Sequence, residues 1–213
     1  MSKIMVFWMG ILGVAFFGLA SVLGGFQFDD YDPVSQYISE TMAVGTPYGQ
    51  MLRFMGYIPS GILLAIFCFA SIGKFPKSNR VKVGFWGLGV FYGFATVVVG
   101  IFPCDIGCNK ELVDPSISQL IHNLTGFLTY LFVPISIILI GAGIRRFNSY
   151  RRLSTIGFVC GSICILFVGM LMADPLTNYA GLFQRIVEGT FIVWIVACAF
   201  SVKAGKHAPN LPR

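Results

Sequence analysis

Asp105, His122, Arg185 and Glu188 are ionisable residues standing where long apolar stretches of the chain meet polar ones. In Gln119-Leu-Ile-His122-Asn123 the polar positions share one helical face, because three or four residues make about one turn. Gln184-Arg185-Ile-Val-Glu188 presents an amide, a guanidinium and a carboxylate together in the same way. Arg185 is expected to pair with Glu188, Asp105 or Asp174, or to attract an anionic group. His122 is the one histidine outside the C-terminal tail, which holds His207. As a general base it would need Asp105 or Glu188 to orient it. Ionisable groups at membrane depth are costly, so they mark either a function or a paired structural contact. Both readings stand: ion pairs that tie helices together, and a site for a small polar ligand or lipid headgroup. Ser35, Ser39 and Ser118 are possible nucleophiles, but none sits in a G-x-S-x-G context.

Cys104 and Cys108 form a C-x3-C pair. A disulfide is the favoured reading if this loop faces an oxidising compartment. Zinc is the rival, since two thiolates with His122 and Asp105 make an acceptable ligand set. The loops hold no second paired-cysteine motif, so no metal and no other cofactor are expected. Cys68, Cys160, Cys164 and Cys198 fall inside apolar stretches and are expected to act as small buried apolar groups. No phosphate-binding loop, H-E-x-x-H or dinucleotide fingerprint is present.

The elements that must hold these residues are apolar helices. Only 11% of the 213 residues are charged, 56% are hydrophobic and the mean hydropathy is +0.79, values that point to lipid as solvent. Six stretches reach the roughly 20 apolar residues a spanning helix needs: 4–25, 51–72, 83–102, 120–144, 153–172 and 182–202. The expectation is an all-α polytopic membrane bundle of six transmembrane helices, a single integral membrane domain over 1–213. The first stretch is read as a retained helix and not a cleaved signal, because its apolar run is long and no A-x-A site follows. Frequent glycines at helical spacings suit close helix packing.

Charge sets the expected orientation. Twelve of fifteen basic residues (Lys3, Lys74, Lys77, Arg80, Lys82, Arg145, Arg146, Arg151, Arg152, Lys203, Lys206 and Arg213) fall on one side, and all nine acidic residues on the other. Cytoplasmic loops are enriched in Lys and Arg, so both termini are expected in the cytoplasm of a multi-pass protein of the cell membrane. The net charge of +6 thus reflects topology, and no nucleic-acid partner is expected. The outer loops are longer, and YDPVSQYISE (31–40) reads as a short amphipathic segment starting at Asp32 or Pro33.

YDPVSQYISE, FPCDIGC (102–108), SISQLIHNLTG (116–126) and GLFQRI (181–186) together resemble the bacterial and archaeal membrane proteins grouped as domain of unknown function 998. The likeness spans nearly the whole chain, with Thr41 where leucine is typical. It implies the six-helix architecture, and Ser39, Glu40, Asp105, His122, Gln184 and Arg185 as the family-type positions. With Asn123 and Glu188 they form the expected ligand-binding set, and they come from separate segments that meet on one face. The partners expected are membrane lipid and a small polar ligand or lipid headgroup, bound or moved. One alternative is an enzyme acting on a lipid headgroup, with His122 as base and Asp105 as orienter or metal ligand. The other is a structural or accessory protein. Transport is disfavoured, because the charges sit at helix ends and no helix is interrupted centrally, although Pro59 and Pro134 permit kinks.

Overall fold

A computed structural model describes residues 1–205, so Lys206, His207 and Arg213 lie outside the described residues. The described chain is all-helical, with six helices long and apolar enough to cross a membrane: α1 Lys3–Gly25, α2 Gly49–Ser71, α3 Asn79–Ile101, α4 Ile117–Ile144, α5 Asn148–Ala173 and α6 Ala180–Ala204. Helix starts extend beyond the apolar runs because polar residues begin them. Ser116, for example, caps α4 by accepting from the Gln119 amide at 3.1 Å.

Each helix packs on its neighbours in sequence, and α6 closes on α1. The result is a ring. Its middle is filled by Phe67, Phe85, Ile137, Ile140 and Trp194, all buried, while Leu19, Met55, Leu124, Leu166 and Phe200 lie exposed on the outside. Outward apolar and inward aromatic side chains are what a bundle in lipid needs, since lipid tails solvate the former and packing holds the latter. Lys203 Nζ lies 4.6 Å from the centre of the Phe7 ring, so the described end of α6 and the start of α1 meet at one end of the ring. The loops carrying the acidic residues form the other end.

Two helices depart from α geometry. Arg53–Tyr57 in α2 and Gly89–Phe94 in α3 are π-helical. A π turn inserts an extra residue and re-aims the side chains around it. Both segments carry a buried tyrosine, Tyr57 and Tyr92, inside the ring. α2 and α3 also touch backbone to backbone here: a Cβ on Gly93 would lie 2.6 Å from Ala65 Cα.

The first loop folds into the mouth of the ring. A turn at Asp32–Gln36 leads into a 3₁₀ turn, Ile38–Met42, whose Ile38, Glu40, Thr41 and Met42 are buried. Asp32 accepts from the Val34 amide and the Ser35 hydroxyl, and the Ser35 bond foremost holds its carboxyl below the usual range. The second loop has Gly107, Cys108 and Asn109 in the left-handed region. A backbone bond from Val44 N–H to the Cys104 carbonyl, 2.9 Å, joins the two loops.

Candidate functional site

The first turns of α6 are sewn to the first loop. Arg185 Nη1 donates to the carbonyls of Pro33 (2.7 Å), Gln36 (2.8 Å) and Gly181 (3.0 Å), and Nη2 donates to the Tyr31 hydroxyl. Gly181 makes this approach possible, since any Cβ there would strike the Pro33 carbonyl oxygen at 2.6 Å. Burial foremost raises the Tyr31 hydroxyl's pKa, against the lowering effect of Arg185. The expected ion pairs of Arg185 with Glu188, Asp105 or Asp174 do not form. Loop carbonyls take its guanidinium because the first loop turns into the mouth, which separation along the chain does not reveal. Gln184 continues the stitching, its Oε1 accepting from the Ile38 amide at 2.6 Å.

The start of α4 is fastened similarly. Asp105 accepts from the Ser116 hydroxyl at 2.6 Å and the Ser116 amide at 3.0 Å, and these bonds, the hydroxyl first, hold its carboxyl below the ordinary range. Buried Gln119 accepts from the Asp105 amide and donates to Asn123 Oδ1 and the Cys108 carbonyl. His122 Nδ1 donates to the Phe102 carbonyl at 3.0 Å. The Asp105 carboxylate is therefore engaged by Ser116 while the imidazole is oriented by backbone. The orienting role expected of Asp105 is taken by a carbonyl, because Asp105 serves to close the loop over the helix start.

Glu40 accepts from the Tyr37 amide and forms a 2.8 Å ion pair with Lys110, which also lies over the Tyr37 ring. Burial, then the neighbouring Glu40, pushes the Tyr37 hydroxyl up to about 12.

Beneath these fastenings lies a small chamber of about 80 Å³, bordered by Ser39, Tyr92, His122, Tyr130, Gln184 and Glu188. That is room for a few waters or a small headgroup. Glu188 is 7% exposed. It stands eight residues past the start of α6, about 12 Å along the axis at 1.5 Å per residue. It is deeper than a helix-end position. Tyr130 donates to Glu188 Oε1 at 3.3 Å, while Glu188 Oε2 and the Tyr92 hydroxyl are buried with no hydrogen-bond partner among the described residues.

The chamber is flanked by two side openings. A groove of about 710 Å³ between α1 and α6 runs past Phe17, Gly18, Val22 and Ile192 to Glu188. A second, of about 270 Å³, runs from Leu171, Met172 and Asn123 to His122, Ser39 and Gln184. Expected residues thus divide: Ser39, His122, Gln184 and Glu188 line the chamber, Asn123 lines the second opening, and Glu40, Asp105 and Arg185 hold the loops.

Residues 11–201 match the model of a family described as "Protein of unknown function (DUF998)". The chain belongs to this family. No curated protein and no solved structure matches it.

In this DUF998 chain the Cys104 and Cys108 sulfurs lie in bonding contact, and His122 offers a nitrogen to the same cluster, all three ligand atoms within 4.8 Å of one another. Asp105 is not part of that cluster. A zinc ion there would need both sulfurs as free thiolates, not joined to each other. The other four cysteines are buried among apolar side chains. Tyr57, Tyr92 and Tyr130 are the chamber residues of this DUF998 protein that the sequence pattern does not disclose. An aromatic in an apolar helix looks like core, and Tyr57 and Tyr92 border the chamber from within the two π segments.

Proposed function

We propose that the protein holds the polar head of a membrane amphiphile in the chamber at the loop-bearing end of the ring, admitting it sideways from the bilayer. The observation that carries this reading is the chamber's position between two side grooves, with polar groups inside and apolar walls leading to them. A solute arriving from water would meet the folded first loop, whereas a lipid meets open grooves. The charge pattern supports placing the loop-bearing end outside the cell membrane and both termini in the cytoplasm, where Lys and Arg are enriched. In that setting the contact between Cys104 and Cys108 is read as a disulfide clamping the second loop beside the chamber. An ionisable group buried at membrane depth, as Glu188 is, is by default the mark of a functional site.

The test uses Gly126, which borders the chamber and has open space where a Cβ would sit. Gly126→Leu should fill the cavity without displacing neighbours. Native mass spectrometry of the full-length protein released from lipid nanodiscs should show a tightly held lipid, retained about tenfold less in Gly126→Leu at equal thermal stability. Equal retention in both would place any bound lipid elsewhere and overturn the proposal.

A further inference from the structure

We infer that the chamber receives an ammonium group, carried on an amphiphile whose apolar tail lies in the groove between α1 and α6. This rests on the headgroup-binding reading above and names the chemistry of the head.

Several acceptors in the lining are not filled by protein donors. Glu188 Oε2 and the neighbouring Tyr92 hydroxyl make no hydrogen bond of full geometry, and Oε1 has the Tyr130 hydroxyl at 3.3 Å. The Thr96 and Thr129 protons are committed to the carbonyls of Tyr92 and Thr125, which leaves their lone pairs free. An ammonium carries donors and no acceptor, so it complements such a lining.

Charge points the same way. A buried carboxylate is costly unless a cation or a protonating environment meets it. Lys110 with Glu40 is the one side-chain ion pair among the described residues. Arg185, one turn before Glu188, turns Nη1 and Nη2 to Pro33, Gln36, Gly181 and Tyr31 and makes no ion pair with it. No protein cation among the described residues is therefore placed against Glu188, and an ammonium head would supply one.

Aromatic rings complete the enclosure. Phe17, Tyr57, Tyr92 and Tyr130 border the cavity, with the Phe17 and Tyr57 rings edge to face at 5.4 Å. Ring faces attract ammonium groups when water is excluded. About 80 Å³ suits a head of few heavy atoms, and the tail then passes Glu188 into the apolar groove lined by Phe17, Val22 and Ile192.

The experiment places full-length protein in phosphatidylglycerol nanodiscs and adds dodecylamine, 1-dodecanol or N-dodecylacetamide in equal amount. Ligand retained per protein is read by native mass spectrometry. A parallel arm replaces half the lipid with phosphatidylethanolamine of the same chains. Dodecylamine should be retained about tenfold over the alcohol and the amide. Glu188→Gln should bring that ratio to about one. Gly189→Leu, placed in the groove where an added Cβ meets open space, should lower retention of all three. Retention of phosphatidylethanolamine over phosphatidylglycerol would identify a lipid as the amine source, and retention of dodecylamine alone a free long-chain amine; either supports the proposal. Equal retention of amine, alcohol and amide by the wild-type protein overturns it, with no variant needed, and leaves headgroup binding standing. An unchanged ratio in folded Glu188→Gln also overturns it. If no amphiphile of any kind is retained, the headgroup reading falls as well.

Discussion

Arg185 and Glu188 sit one turn apart on α6 and are solvated by opposite means: the guanidinium by four oxygens of the protein, the carboxyl by the hydroxyl of Tyr130 with that of Tyr92 beside it. Arg185 is thus a fastener. A lysine in its place keeps the charge but loses the planar fork that reaches three carbonyls and a hydroxyl at once. Arg185→Lys is expected to cost about 2 kcal/mol of stability, seen as a lower melting temperature in micelles. Ligand retention by the fraction still folded should be unaltered; a specific loss of binding at full stability would show Arg185 to be a ligand contact instead. Asp105 is a fastener of the second kind. Its folded pKa lies below its ordinary value of 3.8. Stability from such a group is complete above the unfolded pKa and is lost as the pH falls through the folded one. Melting temperature should therefore drop on acidification from about pH 5 to about pH 2, and drop less in Asp105→Asn. Parallel curves would mean that the Ser116 bonds contribute nothing to the folded state.

At the scale of elements, the spanning stretches were legible because hydropathy depends only on composition along the chain. The mouth was not. YDPVSQYISE shows its apolar spacing, yet its burial depends on Gln184 and Arg185 gripping its backbone from a segment more than a hundred residues away. The π segments were illegible for a related reason, since an extra residue in a turn is selected by packing partners such as Gly93 against Ala65. Gly93→Ala should force α2 and α3 apart and cost about 1–3 kcal/mol, measured by thermal unfolding, because backbone atoms cannot yield as a side chain end can. If Gly93→Ala is neutral, the crossing is loose and Tyr92 is not held by it. The Cys104–Cys108 clamp has its own test. Closing so short a loop is worth about 2 kcal/mol in the chain-entropy account. Cys108→Ser should lower stability by about that much, and dithiothreitol should lower the wild type equally while leaving Cys108→Ser unchanged. Insensitivity of the wild type to reductant, with both thiols open to alkylation, would sink the disulfide and reopen the cluster with His122 to a metal.

For the whole molecule, closure of the ring by α6 on α1 converts six ordinary spans into one enclosure with a chamber near one end. Hydropathy carries no information on which helices touch, so this closure, and with it the convergence of Ser39, His122, Gln184 and Glu188, could be anticipated from the motifs but not located. The side that faces out is a separate matter, argued from charge alone. Asp30 in the first loop and Lys77 at the opposite end are both exposed, and the native cysteines are buried. In intact cells a membrane-impermeant maleimide should label Asp30→Cys at once and Lys77→Cys only after lysis. That pattern would put the chamber in the outer half of the bilayer, so that a ligand entering between α1 and α6 comes from the outer leaflet. The reverse pattern would set aside the charge argument, expose the Cys104–Cys108 loop to a reducing compartment, and make the inner leaflet the source of whatever amine Glu188 meets.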